Sequence, residues 1–224
     1  MAAAAAGLRK VGWIGTGVMG RSMCKHILDK MAAASVESLS VFSRTESKLQ
    51  ELLAAPYNAK YQTPEEMAAG VDVLVLMVGY PQDVKDVMLP GGRDLLNLMR
   101  PNTLLIDHTT SSPSLAREIS DLAKAKNIAV LDAPVSGGDM GARNGALSVM
   151  SGCDEVSTFE SAKPIIDTYA KTYKRLGNAG AGQHCKMGNQ VAIAGAMIGV
   201  CESLLYAQKA GLDPELFFET IRGG

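Results

Sequence analysis

At 224 residues, 23.6 kDa and 47% hydrophobic, the chain holds material for one well-buried α/β domain and roughly 40 residues beyond it. A formal net charge of -1, a pI near 6.3 and no basic run longer than Arg9-Lys10 exclude the footprint of a nucleic-acid binder. The cysteines Cys24, Cys153, Cys185 and Cys201 form no C-x-x-C pair, which suits reduced thiols in a cytoplasmic compartment and assigns none to a metal. Met1 to Gly7 carry neither a basic n-region nor a long apolar core, so no presequence is expected.

The first element is a strand at Val11 to Ile14 that runs straight into Gly15-Thr16-Gly17-Val18-Met19-Gly20. In a G-x-G-x-x-G turn the first glycine allows the tight bend. The second admits a pyrophosphate, and the third lets helix pack on strand, with the helix N-terminus facing the phosphates. The string alone also fits a turn that merely packs a helix on a sheet. Its context is a βαβ unit: a helix over Thr16 to Met31, with Val18, Met23, Ile27 and Met31 on related faces, then a strand at Leu39 to Phe42.

A NAD site presents Asp or Glu after that second strand, whereas here Ser43-Arg44-Thr45 follows, with Lys48 close behind. Arg44 can stack on adenine and pair with a 2′-phosphate, Ser43 and Thr45 can donate hydroxyls, and no carboxylate stands at the strand end. NADP is therefore expected over NAD, against the alternative of a solvated helix start.

Glu46 to Ala54 reads as helix, Ala59 to Tyr61 as a short strand, Pro64-Glu65-Glu66 as a helix start, and Val71 to Val78 as a strand buried on both faces. That strand ends at Gly79-Tyr80-Pro81. Strands follow at Thr103 to Asp107 and Ile128 to Asp132, separated by a helix from Ser112-Pro113 to about Lys126. Ala146 to Met150, the helix Glu155 to Tyr169 and the strand Thr172 to Arg175 extend the sheet. The alternation is that of a doubly wound, mainly parallel α/β (Rossmann) sheet, assigned to residues 1–178.

Gly177-Asn178-Ala179-Gly180-Ala181-Gly182 reads as a flexible break. Residues 179–224 are then a long helix, Gln183 to Ala210, and a helix from Asp213 to Ile221: the beginning of an incomplete all-α domain. The uncharged stretch Val191 to Cys201 is shorter than the roughly 20 apolar residues that span a bilayer, so it is expected to be a buried helix and no membrane partner is expected. Gly188, Gly195 and Gly199 would permit close helix approach, within the chain or in a homodimer.

Ligands of open α/β sheets bind outside the carboxyl ends of the strands, where three segments of small and hydroxyl residues fall. Val78-Gly79-Tyr80-Pro81 is the first, with Val78 and Gly79 as coenzyme candidates. The second is Asp107-His108-Thr109-Thr110-Ser111-Ser112-Pro113, in which Thr110 is a candidate for coenzyme contact and Ser112 also serves as a helix cap. In the third, Asp132-Ala133-Pro134-Val135-Ser136-Gly137-Gly138, exposed N–H groups could hold a carboxylate, although a plain Ser-Gly-Gly loop reads the same. Lys186 stands in the first turn of the long helix, where it gains nothing from the helix dipole. Desolvation there would lower its pKa, unless the chain is simply a snorkelling lysine. Gln190 lies one turn further on the same face.

Taken together, Gly15-Thr16-Gly17-Val18-Met19-Gly20, Ser43-Arg44-Thr45, Asp107-His108-Thr109-Thr110, Asp132-Ala133-Pro134-Val135-Ser136-Gly137-Gly138 and Gly180-Ala181-Gly182 with Lys186 and Asn189 resemble the β-hydroxyacid dehydrogenase family, in its 3-hydroxyisobutyrate dehydrogenase-like branch. The resemblance runs from about Lys10 to the end. It implies an oxidoreductase that moves a hydride between NADP(H) and a small β-hydroxy acid or semialdehyde. Glyoxylate or succinic semialdehyde reduction is the alternative within the same chemistry. Lys186 would be the acid/base, Ser136, Gly137 and Gly138 the carboxylate site, and Asn189 and Gln190 the substrate-orienting turn. Two departures stand out. Gln190 occupies a position where the family usually has asparagine, and the family continues past Ile221-Arg222-Gly223-Gly224, so a C-terminally shortened form that binds coenzyme without turnover is a further expectation.

Overall fold

The structure, a computed structural model, describes residues 9–223; the expectation about a leader at Met1 to Gly7 lies outside them. Two compact units divide at Lys186/Met187. In the first, β1 (Arg9–Ile14), β2 (Val36–Phe42), β3 (Lys60–Tyr61), β4 (Val73–Leu76), β5 (Leu104–Asp107) and β6 (Ala129–Asp132) pair in parallel in the order β3-β2-β1-β4-β5-β6. β8 (Leu147–Gly152) joins antiparallel to β6 and to β7 (Val135–Ser136), and β9 (Ala170–Gly177) closes the edge in parallel with β8. Continuous apolar strands such as Val73-Leu74-Val75-Leu76, buried at every residue, require cover on both faces. Two apolar clusters provide it. One is built around Trp13, Met23, Ile27, Leu39 and Leu131, the other around Ile14, Met67, Leu74, Leu76, Val84 and Leu105.

The helices are α1 (Val18–Asp29), α2 (Gln50–Leu53), α3 (Pro64–Gly70), α4 (Pro81–Met88), α5 (Leu95–Leu98), α6 (Pro113–Lys124), α7 (Gly138–Arg143), α8 (Val156–Ile166), α9 (Ala181–Lys209) and α10 (Pro214–Ile221). α4, α5 and α7 were not expected. α4 has a readable start, because Pro81 can open a helix without losing a hydrogen bond and Asp83, at its third position, accepts from the Tyr80 N–H at 2.9 Å.

Two expectations about the C-terminal stretch are overturned. The glycines between β9 and α9 are packed rather than flexible: a Cβ on Gly182 would stand 2.5 Å from the Met150 carbonyl and 2.6 Å from that of Asp132, and one on Gly180 2.8 Å from the Pro113 carbonyl. They let α9 start against the sheet. Nor is α9 a buried helix. Val191, Met197 and Ile198 are exposed, and a side chain added at Gly188, Gly195 or Gly199 would meet nothing within 4 Å. The helix runs to 29 residues, long and apolar enough to cross a membrane by length and composition alone. The expected helix, Gln183 to Ala210, covers nearly the whole of this span; the length set against a bilayer is that of its uncharged block alone, Val191 to Cys201, without the residues on either side. In the second unit Ala207 is fully buried, and the apolar side chains of α10, among them Leu216, Phe218 and Ile221, stay exposed.

Candidate active site

In the order β3-β2-β1-β4-β5-β6 the chain reverses direction across the sheet between β1 and β4, and ligands bind at the carboxyl ends of strands around such a point. A cleft of about 480 Å³ opens there, between the turns that follow β1, β2 and β4. Twelve of the thirteen coenzyme candidates line it: Gly15, Thr16, Gly17, Val18, Met19, Gly20, Ser43, Arg44, Thr45, Lys48, Val78 and Gly79. Thr110 does not; it is exposed on the loop after β5.

The glycines of the β1–α1 turn serve different masters. Gly15 has φ +103° and a Cβ there would lie 2.2 Å from the Met77 carbonyl. At Gly20 a Cβ would lie 2.1 Å from the Gly15 carbonyl. Both are demanded by the fold itself. Gly17 has nothing within 4 Å, so no protein atom excludes a side chain there, and only something entering the cleft would. Beside it the Thr16 hydroxyl is buried with no hydrogen-bond partner among the described residues. An open glycine, an orphaned hydroxyl and a helix N-terminus at α1 fit the phosphates of a dinucleotide.

The neighbouring strands β5 and β6 end in register at Asp107 and Asp132. Burial pushes the Asp107 carboxyl up to about 7, and the Asp132 charge adds to the shift. Asp132 rises to about 6 through burial, held back by the N–H groups it accepts. Those donors are Gly180 at 2.7 Å and Gln183 at 3.0 Å, so the carboxylate caps the opening of α9 from another strand. Gln183 completes the clasp. Its side-chain amide donates to the Thr109 carbonyl and its carbonyl accepts from the Ser111 N–H, each at 2.8 Å, tying the β5 loop to the helix. Below it, His108 meets the Ala133 carbonyl through Nδ1 at 2.6 Å and the Tyr169 hydroxyl through Nε2 at 2.8 Å. Burial pulls its pKa down to about 4, and the neutral ring satisfies both bonds with its proton on Nδ1.

This clasp delivers Lys186. Its side chain is only 8% exposed, it has no ion pair or hydrogen bond among the described residues, and burial lowers its pKa from the ordinary lysine value. Ser136 ends β7, followed by Gly137 and Gly138 with φ of +131° and +61° at the start of α7. Asn189 and Gln190 follow Lys186 along α9, in the second unit, and their side-chain amides approach each other at 3.4 Å. No group of three His, Cys, Asp or Glu that could hold a metal occurs among the described residues.

Residues 10–180 match the family model of the NAD binding domain of 6-phosphogluconate dehydrogenase, and residues 180–224 that of the NAD-binding domain of NADP-dependent 3-hydroxyisobutyrate dehydrogenase. The chain belongs to the β-hydroxyacid dehydrogenase family. It is 45% identical over 215 residues to a probable mitochondrial 3-hydroxyisobutyrate dehydrogenase-like protein of Arabidopsis thaliana, covering 96% of this chain and 62% of that protein. It is 32% identical over 219 residues to the 2-hydroxy-3-oxopropionate reductase of Escherichia coli, covering 96% and 70%. Among solved structures, the 3-hydroxyisobutyrate dehydrogenase of Mycobacterium tuberculosis, with L-serine, superposes with a TM-score of 0.81 at 31% identity, over 97% of this chain and 71% of that one. The chain thus spans roughly two thirds of these relatives' length.

Within this member of the family, sequence reasoning missed Gln183, Asp132 as a cap, and a charged wall of the cleft. Asp83, Asp86 and Arg93 line it, with Arg93 paired to Glu65 at 2.6 Å and lying 5.6 Å over the Phe42 ring. The absence of a carboxylate read from sequence concerns the end of β2 alone; in the cleft Asp83, from another element, meets Arg44 at 3.0 Å. Asp83 comes from the missed helix α4, 39 positions away, so only the Pro81 and Asp83 start signal could have revealed it.

Proposed function

We propose that the protein is an NADP(H)-dependent oxidoreductase that interconverts a small β-hydroxy acid, such as 3-hydroxyisobutyrate, with its semialdehyde. One observation carries this reading: a single α/β unit holds both a cleft whose open Gly17 suits a dinucleotide and a buried Lys186, without an ion pair among the described residues, at the clasped start of α9. The nicotinamide, when bound, supplies or accepts the hydride. Lys186 takes the substrate hydroxyl proton in oxidation and returns it in reduction, and its lowered pKa keeps a share of the amine neutral for that task. Ser136, Gly137 and Gly138 hold the substrate carboxylate, since consecutive left-handed glycines turn backbone N–H groups outward together. Asn189 and Gln190 orient the substrate and Thr110 lies by the coenzyme.

Preference for NADP over NAD rests on Arg44, Lys48, Ser43 and Thr45 in the cleft and is in keeping with the NADP-dependent description of the family model at residues 180–224. A small carboxylate is the partner, in the cytoplasm, with no nucleic acid. The clasped, buried opening of α9 argues against a membrane role, and the exposed apolar residues of α9 and α10 suit a homodimer. Glyoxylate or succinic semialdehyde reduction is a second reading; the 2-hydroxy-3-oxopropionate reductase among the relatives is in keeping with reduction as the direction.

The test offers NADPH and a panel of semialdehydes and glyoxylate to the protein and follows loss of reduced-coenzyme absorbance. Turnover that Lys186→Ala lowers by roughly 10²–10⁴ supports the reading. Coenzyme binding without turnover on any member replaces it with a binding protein.

A further inference from the structure

The charge opposite Arg44 has no task in the coenzyme reading so far. Arg44 is 79% exposed, whereas the side chain of its partner Asp83 is 20% exposed. The carboxylate is also tied down: Oδ2 accepts the Tyr80 N–H at 2.9 Å, and Oδ1 accepts from Arg44 at 3.0 Å. Gly79 keeps that seat open, because a Cβ there would stand 2.8 Å from Oδ2. Asp83 is the fixed partner and Arg44 the movable one. Of the other cations on the cleft, Arg93 is committed to Glu65 and to the Phe42 ring. A phosphate arriving at Arg44 must therefore share the guanidinium with a carboxylate that cannot retreat, or pull it away.

We propose that Asp83 is a specificity-determining residue for the coenzyme: its fixed carboxylate, set against Arg44, weakens binding of the 2′-phosphate of NADP(H) and leaves NAD(H) unaffected. The proposal rests on the reading that Arg44 receives that phosphate. Two anions around one guanidinium repel each other, and the ion pair must loosen before the phosphate gains its full fork of hydrogen bonds. NADH carries a hydroxyl at this place and meets no such opposition. The charge census points the same way: with Arg93 paired to Glu65, Asp83 and Asp86 balance Arg44 and Lys48 on the cleft, and neutralising Asp83 leaves one positive charge in excess.

Titration calorimetry with NADPH and with NADH tests this without turnover. Asp83→Asn, which can still accept the Tyr80 N–H, should lower the NADPH dissociation constant roughly three- to tenfold, the scale of an exposed ion pair plus one removed repulsion. Its NADH constant should stay within about twofold, Asp83→Glu should keep the wild-type ratio, and the gain should vanish when Arg44→Ala is added. Should Asp83→Asn fold poorly by thermal melting, Asp83→Ser provides the same neutral acceptor. An NADPH-to-NADH ratio that moves less than about twofold, a ratio that falls, or a gain that survives Arg44→Ala overturns the role of Asp83. The Arg44→Ala single variant separates the two failures: if it weakens both coenzymes equally, the placement of the 2′-phosphate falls, and the role of Asp83 with it.

Discussion

Two glycine turns of similar composition, Gly15 to Gly20 and Gly177 to Gly182, each lead from a strand into a helix and do opposite things. In the first, Gly15 and Gly20 are jammed against backbone while Gly17 between them faces open space. In the second, Gly180 and Gly182 are jammed against β6, β8 and α6. The first turn thus keeps a vacancy for a ligand, and the second uses its missing side chains to bring a helix onto the sheet. Glycine spacing alone does not tell the two uses apart; what stands within 4 Å of the missing Cβ does.

The sharpest way to break the comparison is to fill both turns. Gly182→Ala forces a Cβ onto two backbone oxygens, and Gly15→Ala combines a 2.2 Å clash with a left-handed φ; each should cost roughly 3 kcal/mol or more, read as a large fall in thermal midpoint or loss of soluble protein. Gln183→Ala comes next. It strands the buried Ser111 N–H and Thr109 carbonyl and should cost about 2–4 kcal/mol in denaturant unfolding. Gly17→Ala is the counterpart in the open turn: stability should change by less than about 0.5 kcal/mol while calorimetry shows NADPH binding at least about tenfold weaker, about 1.4 kcal/mol. If Gly17→Ala binds normally, the vacancy is not a phosphate seat.

The smallest expected effect is a pH slope, which probes the clasp rather than the cleft. Asp107 and Asp132 have folded pKa values of about 7 and 6, above the ordinary aspartate value of 3.8. The folded chain therefore binds protons there that the unfolded chain has already released, and stability falls as pH rises from about 4 to those values. His108, at about 4 against 6.5, acts in the opposite sense over pH 4 to 6.5. Between pH 4 and 6 two carboxylates outweigh one imidazole by one proton, so these groups together lower stability by about 1.4 kcal/mol per pH unit. Asp107→Asn, which still accepts the Thr109 N–H, should flatten their contribution in that window, as measured by urea unfolding at pH 4.5, 5.0 and 5.5. An unchanged slope would mean that Asp107 is not the protonated group.

The sequence by itself determined the alternation of strands and helices, the glycine elbow on β1 and the basic turn after β2. These depend on periodicity and on residues a few positions apart, which local physics governs. It also marked Lys186 as an oddity. Tertiary structure alone decided which glycines serve the fold and which the cleft, that Asp132 and Gln183 fasten α9 across 48 and more positions, and that Asp83 faces Arg44. Each of these is a meeting of groups remote in the chain. Burial and close approach are properties of the folded surroundings, and no local pattern of residues encodes them.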